Sequence, residues 1–186
     1  MTSDESLDRL ARAVRSVQDS LASTTVTDEA AEAAWTALET ASTVLAPFRQ
    51  GFTTMTDWSV LGMSRGVHTL SPGLQDAHWE EMRMTASITF TDFFHGVNGA
   101  AHGGTIPLVF DEIFGRMSTS DGVLRRAASL TVDFRSVTPI NTELMIDAHL
   151  ERTEGRKSWL VGTLRHGDTI TAEASSLWIS LRPGAL

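Results

Sequence analysis

The chain has 186 residues, of which 41% are hydrophobic and 20% are charged, as in an ordinary soluble globular domain. The formal net charge of −8 at pH 7 argues against general nucleic-acid binding, because that activity needs a positive surface. The sequence contains no cysteine, which excludes disulfides, thiolate metal sites and a cysteine nucleophile. The first residues are acidic and no apolar run is long enough to cross a bilayer, so we expect a cytoplasmic protein without membrane contact.

Residues 1–50 are predicted to form a helical extension, because apolar residues recur there at helical spacing in two stretches. The two stripes are Leu7, Leu10, Ala11, Val14, Val17 and Leu21, followed by Ala31, Ala34, Trp35, Leu38 and Leu45. Thr25 with Asp28 three residues later fits a helix-start signature, and Pro47 ends the second helix. Such a hairpin can serve as a lid, an oligomer contact or plain packing, of which we favour packing.

Residues 51–186 are predicted to form a second unit that carries the function. Residues 51–82 are rich in glycine and proline and indicate loops with short strands. Apolar and polar residues then alternate, which predicts strands at 84–91, 129–135, 144–151, 157–166 and 169–181. In the last strand the apolar parity switches, which predicts a bulge near Ser175 and Ser176.

One long helix is predicted between the first two of these strands. Its apolar stripe consists of Ile106, Val109, Phe110, Ile113, Phe114 and Met117. Pro107 is tolerated only in the first turn of a helix, so the helix begins near Gly103 or Gly104. A single helix with about five half-buried strands indicates an α+β fold, in which an antiparallel sheet curls around the helix.

The start of this helix has the features of an acyl-hydrolysis site. Paired glycines leave backbone N–H groups uncovered, and the first N–H groups of a helix have no partner within it. Such groups can bind a developing negative charge on a substrate oxygen, while a carboxylate activates water. Asp111 is the candidate carboxylate, but it lies seven residues after Gly104, roughly 10 Å along a helix. A symmetric dimer removes the difficulty, because each site then takes the amides from one chain and Asp111 from the other.

The spacing alone leaves a second interpretation open. Gly103 and Gly104 can form only a tight turn, with Asp111 as a solvated helix residue beside Glu112. The choice between the two interpretations depends on the surrounding strands.

Read with those strands, the motif resembles the hotdog-fold acyl-CoA thioesterases of the PaaI-like type. The resemblance rests on His102-Gly103-Gly104, on Asp111 nine residues after His102, and on SLTVDFRSVTP at 129–139. It runs from about residue 84 to residue 182. It implies a hotdog fold with a long central helix wrapped by a curved antiparallel sheet, assembled as a homodimer or as a dimer of dimers.

The resemblance also implies roles for individual residues. Asp111 would be the general base or nucleophile, and the Gly103 N–H the principal oxyanion donor with Gly104 beside it. His102 would orient the substrate or support the structure. Ser129 matches a serine that helps to place the water in some relatives.

One position departs from the pattern of these relatives. Many of them carry a polar residue six positions before the motif histidine, where this chain has Gly96. His95 and Asn98 flank that position out of register. With Gly99, they are the candidate substrate contacts of this loop.

Two competing motifs are weaker. Gly62-Met63-Ser64-Arg65-Gly66 matches the G-x-S-x-G nucleophile elbow, but the residues that follow cannot form the required helix. The six histidines include no pair at metal-ligand spacing, so no metal site is predicted.

We therefore expect an oligomeric hydrolase of acyl thioesters that needs no cofactor, with coenzyme A as the carrier. Arg125 and Arg126 are candidates for the phosphates of such a substrate. The alternative from another class is a non-catalytic acyl-CoA-binding or regulatory protein on the same scaffold, which the Gly96 departure makes credible.

Overall fold

The computed structural model describes residues 3–48 and 69–182. The helices are α1 (Ser3–Ser23), α2 (Asp28–Leu45) and α3 (Thr105–Ser118). The strands are β1 (Gln75–Glu80), β2 (Arg83–Thr89), β3 (Arg125–Phe134), β4 (Glu143–Glu154), β5 (Lys157–His166) and β6 (Thr169–Ser180). All neighbouring strands pair antiparallel in one sheet with the order β1-β2-β4-β5-β6-β3. The predicted α+β hotdog architecture is confirmed.

The core lies between α3 and the curved sheet, as the helical stripe predicts. Every member of that stripe is buried, and Phe110 and Phe114 stack with their ring centroids 5.7 Å apart. The sheet approaches the helix at Gly162 of β5, where a Cβ would lie 2.9 Å from a Phe110 ring carbon. Only a residue without a side chain allows this approach, so Gly162 sets how closely the sheet wraps α3.

The predicted strands are present, but some of their limits differ from the prediction. The sequence did not resolve β1, and β3 begins at Arg125 rather than at Ser129. Both are edge strands of the sheet, with their side chains exposed or half-buried. Edge strands lack the clear alternation of buried and exposed residues on which the prediction depends.

The predicted bulge at Ser175 and Ser176 is wrong. From Ala172 onward β6 keeps one parity, with Ala172, Ala174, Ser176 and Trp178 buried. Ser176 is accommodated inside because its hydroxyl donates to the Ser129 carbonyl at 2.7 Å. The irregularities lie elsewhere, at Thr171 of β6 where it pairs with β5, and between Ala127 and Ser129 of the facing strand β3.

Two tryptophans of the sheet have different environments. Trp178 is buried and its ring faces Gly115 of α3. Trp159 is only half-buried, and the Arg152 guanidinium lies 4.0 Å from the centroid of its ring. The Trp159 ring therefore lies under a charged side chain on the outer surface of the sheet, outside the core.

The N-terminal helices differ in how they contact the domain. α2 begins at a Thr27 cap, whose hydroxyl accepts from the Ala30 N–H at 3.3 Å, and not at Thr25 as the sequence suggested. No residue of α2 is buried. α1 packs on the domain, where Ala11 is 5% exposed and Asp19 accepts from the Phe93 N–H at 3.1 Å.

The G-x-S-x-G match at 62–66 lies outside the described residues. Among the helices of the described ranges, none has the length and apolar character needed to cross a membrane.

We predict that Gly162→Ala lowers the free energy of unfolding by about 1–3 kcal/mol, because the added methyl group overlaps the Phe110 ring. Thermal and urea unfolding measure the effect. The neighbouring Thr163→Ala serves as the control, since Thr163 lies on the other face of β5 and is only half-buried. Equal stability of the two variants would contradict a close approach of helix and sheet at this glycine.

Candidate active site

The loop that leads into α3 is a tight hairpin built on its own backbone hydrogen bonds. The Ala100 N–H donates to the Val97 carbonyl at 3.0 Å, and the Gly96 N–H donates to the Ala100 carbonyl at 2.8 Å. The two residues at its tip, Asn98 and Gly99, both have positive φ, at 53° and 74°. Asn-Gly is the pair that a turn with two positive φ angles favours, so this turn accounts for both residue types.

Gly96 has no room for the polar side chain found in many relatives. A Cβ there would lie 3.0 Å from the Cα of His102 and 3.3 Å from the Ala100 carbonyl oxygen. The side chain of His95 does not replace the missing group either, because its Nε2 accepts from the Gly99 N–H at 3.3 Å. The departure from the family pattern thus follows from close packing of this hairpin against the motif histidine.

The two motif glycines differ in how their amides are used. The Gly104 N–H donates to Nδ1 of His102 at 3.1 Å, and the Thr105 N–H donates to the His102 carbonyl at 2.9 Å. The Gly103 N–H has no acceptor among residues 3–48 and 69–182. His102 therefore accepts from the amides of the cap residue Gly104 and of Thr105, the first residue of α3. The Gly103 amide is the one that remains available to a ligand.

This amide lies beside an exposed aromatic ring that the sequence analysis did not single out. A Cβ on Gly103 would lie 3.7 Å from Cζ of Phe134, the last residue of β3. Phe134 is 56% exposed, and nearby in sequence Val137 is also exposed. The only sequence signal was an aromatic residue at the end of a strand within the 129–139 motif, which by itself does not indicate proximity to Gly103.

Asp111 lies on the flank of α3 that also carries Gly104 and Gly115. Its side chain is half-buried, and no hydrogen bond or ion pair to it exists within the described ranges. Burial raises the pKa of Asp111 above its ordinary value. A half-buried carboxylate without a cationic partner is an unfavourable arrangement for stability alone, which makes it a candidate for chemistry.

The remaining predicted residues lie along β3. Ser129 is exposed beside the irregular pairing of β3, its carbonyl accepts from the Ser176 hydroxyl, and its own hydroxyl forms no hydrogen bond within the described residues. The Arg125 guanidinium is bound by both oxygens of Asp121 at 2.7 Å and donates to the Ser118 carbonyl at 2.5 Å. This pairing lowers the pKa of Asp121 to about 2. Arg126 is exposed, with no ion pair in the part of the chain that the structure describes.

Within one chain, the fold brings some of the predicted residues together and separates others. His102, Gly103 and Gly104 meet at the start of α3. Asp111 lies about 10 Å further along the helix, and the arginines lie at the opposite end of β3 from Phe134, roughly 30 Å away at ~3.3 Å per residue. A single chain therefore contains the parts of the site but not a complete set in one place.

The sequence is similar to acyl-coenzyme A thioesterases. It is 30% identical to acyl-coenzyme A thioesterase THEM4 of Rattus norvegicus over 90 residues, which cover 47% of this chain and 39% of that protein. With THEM4 of Xenopus laevis it shares 33% identity over 107 residues, 55% of this chain and 47% of the other. The chain thus spans less than half the length of these relatives. No protein-family model matches it.

Solved structures have the same fold. A thioesterase superfamily protein superimposes with a TM-score of 0.74 at 22% identity over 93% of this chain and 94% of its own, which includes most of the N-terminal extension. The Escherichia coli PaaI protein from the phenylacetic acid degradation operon aligns with a TM-score of 0.53 at 16% identity, over 57% of this chain and 79% of its own. A Streptococcus mutans protein solved with bound acetyl CoA gives 0.54 at 18% identity, over 58% and 88%. The chain is thus similar in sequence to acyl-coenzyme A thioesterases over about half of its length, and it shares its fold with these solved structures, in agreement with the resemblance on which its histidine–glycine motif was interpreted.

Proposed function

We propose that this protein hydrolyses acyl thioesters, with acyl-coenzyme A as the substrate class. The observation that carries the proposal is the Gly103 N–H, which has no hydrogen-bond acceptor within the described residues and lies at the start of a buried helix. Similarity to acyl-coenzyme A thioesterases and to a structure with bound acetyl CoA supports the substrate class.

The proposed enzyme is a homodimer joined through β3. The two edges of the sheet differ, because β1 is short, irregular and charged, whereas β3 pairs regularly with β6 from Ser129 to Phe134. An edge of this length exposes a row of backbone N–H and C=O groups to pairing by another strand. Leu130 and Val132, the apolar residues on this strand, are only half-buried, so a second chain would cover them.

A two-fold pairing of β3 with its copy would complete the site. In antiparallel pairing, the Phe134 end of one strand lies beside the Arg126 end of the other. The exposed Arg126 would then approach the Gly103 amide across the interface and could contact substrate phosphates. The same symmetry carries Asp111 of each chain toward the amide of the other, which removes the separation of about 10 Å within one helix. Two such sites form per dimer.

The chemistry uses the amide and the carboxylate in sequence. The Gly103 N–H donates to the thioester carbonyl oxygen and stabilises the negative charge that develops there. Asp111 accepts a proton from a water molecule, whose oxygen bonds to the carbonyl carbon. The C–S bond then breaks, and the thiolate takes the proton to leave as a free thiol with a carboxylic acid as the second product. The raised pKa of Asp111 makes it a stronger base than an ordinary aspartate.

His102 and Ser129 have supporting roles in this proposal. Because Nδ1 of His102 accepts from Gly104, its Nε2 carries the proton and can donate toward a bound substrate. Gly104 contributes indirectly to oxyanion binding, because the hydrogen bond from its N–H holds the His102 ring in place. The exposed hydroxyl of Ser129 forms no hydrogen bond within the described residues, so it can position the water. The bond to Ser176 is made by the Ser129 carbonyl.

We predict that Gly103→Pro lowers kcat by about 10²–10³-fold, because it removes the donor to the oxyanion. Release of free thiol from acetyl-, dodecanoyl- and phenylacetyl-coenzyme A measures the rate. Gly103→Ala is the matched control, since it keeps the N–H and its methyl group meets Phe134 at an ordinary contact distance of 3.7 Å. Equal loss in the two variants would show that space, and not the amide, matters at this position.

We predict that Asp111→Asn lowers kcat by about 10²–10⁴-fold, because it removes the base, and that Gly103→Pro chains rescue it. An equimolar mixture gives hybrid dimers with one intact site, so about a quarter of all sites become active after full exchange. Thiol release before and after confirmed subunit exchange measures the rescue. Hybrids that stay inactive would rule out a site shared between chains. Tight binding of acyl-coenzyme A with no thiol release by the wild type would instead support the non-catalytic alternative.

We predict that Asp111→Asn raises the thermal midpoint at pH 7. The pKa of Asp111 is raised in the folded state, so its ionised form opposes folding; this penalty is absent below about pH 4 and complete above the folded pKa. The gain should therefore shrink at pH 3. The control is Glu112→Gln, which should lower the midpoint at pH 7, because Glu112 accepts from the Ser71 hydroxyl. A lower midpoint for Asp111→Asn at pH 7 would indicate a structural role for this carboxylate.

A further inference from the structure

A cavity of about 770 Å³ lies between α1, β1, β2 and α3. Its size is within the range of about 300–1,000 Å³ that small-molecule sites occupy. The extension forms one wall, where Ala11 of α1 is 5% exposed and brings the helix close to the domain. The cavity therefore exists only because α1 packs against the domain.

The cavity is separate from the proposed hydrolytic site. Successive helical residues are rotated by about 100°, so Asp111 and Glu112 lie on opposite flanks of the buried stripe of α3. Glu112 and Arg116 line the cavity, whereas the Asp111 flank carries Gly115, which faces Trp178 of β6. A ligand of the cavity is therefore not expected to touch Asp111 of the same chain.

The lining has an apolar part and a charged part. The larger apolar side chains, contributed by β1, α3 and the segments beside β1 and β2, are Leu74, Trp79, Phe94, Val109 and Ile113. The charged side chains, contributed by α1 and α3, are Asp8, Arg12, Arg15, Asp19, Glu112 and Arg116. Ser71, Gln75, Thr89 and Thr91 add uncharged polar groups to the lining. A cavity that offers both apolar and charged surface suits a small amphiphilic molecule.

The acidic side chains of the cavity are engaged within the protein. Glu112 accepts a short hydrogen bond from the Ser71 hydroxyl, and its charge acts on Arg15 together with that of Asp8. Burial lowers the pKa of Arg15, and these two carboxylates oppose the shift. Asp19 accepts from the Phe93 N–H. These contacts join α1 to the domain, and the two carboxylates compensate the positive charge of Arg15.

Two arginine side chains at the cavity, Arg12 and Arg116, have no carboxylate that compensates their charge within the described residues. The Arg116 guanidinium lies 4.0 Å from the centroid of the Trp79 ring, and within the described ranges it forms no ion pair. Burial lowers the pKa of Arg116, and no carboxylate opposes the shift. Arg12 lines the cavity from α1, also without an ion pair in residues 3–48 or 69–182. The two guanidinium groups are therefore available to an anion.

We propose that this cavity binds an amphiphilic anion, with a carboxylate between Arg12 and Arg116 and an alkyl chain along Val109, Ile113 and Trp79. The ligand class is that of long-chain fatty acids. The apolar lining favours an alkyl chain over the polar nucleotide of a coenzyme, although both carry an anionic group. The site does not depend on the proposed hydrolysis, because none of its residues belongs to that machinery.

Calorimetric titration of the full chain with dodecanoate, dodecanol and free coenzyme A tests the proposal. We expect dodecanoate to bind at least about tenfold more tightly than dodecanol, because only the carboxylate is paired with a guanidinium. Arg12→Gln and Arg116→Gln should each weaken dodecanoate binding by about tenfold and leave dodecanol binding unchanged. Ala77→Trp, at an exposed lining position, should weaken both ligands by narrowing the entrance.

The controls separate this site from the proposed hydrolytic one. Arg165→Gln, which changes the same charge on β5 outside the cavity, and Asp111→Asn should both bind dodecanoate like the wild type. Full affinity in the Arg12 and Arg116 variants would overturn the proposal, as would loss of binding in Asp111→Asn. Binding of coenzyme A that depends on Arg12 would overturn the carboxylate assignment, because the recognised anion would then be a phosphate.

Discussion

The burial of a single helical stripe constrains the rest of this molecule. With the apolar residues of α3 held inside the sheet, the start of the helix is fixed beside the end of β3, and every polar residue of the helix is assigned to one of two flanks. Asp111 and Glu112 are consecutive, yet the helical rotation places them in different environments. Both are half-buried, but Asp111 has no partner within the described residues, whereas Glu112 accepts from the Ser71 hydroxyl and its charge acts on Arg15 of α1. Two adjacent carboxylates thus have different surroundings because the same stripe is buried between them.

The sequence predicted the elements in which a periodic pattern decides the structure. The helical stripe of α3, the position of Pro107 in its first turn and the alternation in β4 and β5 all correspond to buried contacts in the core. The prediction was wrong for the bulge in β6, where strand pairing and packing determine the structure and the pattern of apolar residues does not. Apolar residues at Leu177 and Ile179 suggested a bulge in β6, but inward space there is taken by Trp178 against Gly115. Local sequence does not contain that information.

The candidate site shows the same division between local and tertiary information. The glycines and the histidine of the motif were predictable, because a helix start and a tight turn both depend on short stretches of sequence. The different roles of the two glycine amides were not predictable from the sequence. They depend on Nδ1 of His102, which accepts from the Gly104 N–H and leaves the Gly103 N–H without an acceptor among the described residues. The proximity of Phe134 to Gly103 was also unpredictable, because the two positions are 31 residues apart in the sequence. The absence of a polar group at Gly96 follows from backbone contacts that only the folded hairpin makes.

The extension raises the question of why an N-terminal helix with several charged residues should pack against a hotdog domain. Ala11 is the only fully buried residue of α1 among those whose side chains are described, and the contact of α1 with the domain also includes charged groups such as Arg15 and Asp19. Placing such groups against the domain costs desolvation, which lowers the pKa of Arg15. A helix required only to cover apolar surface would be more stable with apolar residues in these positions. That α1 instead carries cations to the wall of a cavity is the reason to regard the extension as part of a binding site, in contrast to the packing role that its sequence suggested.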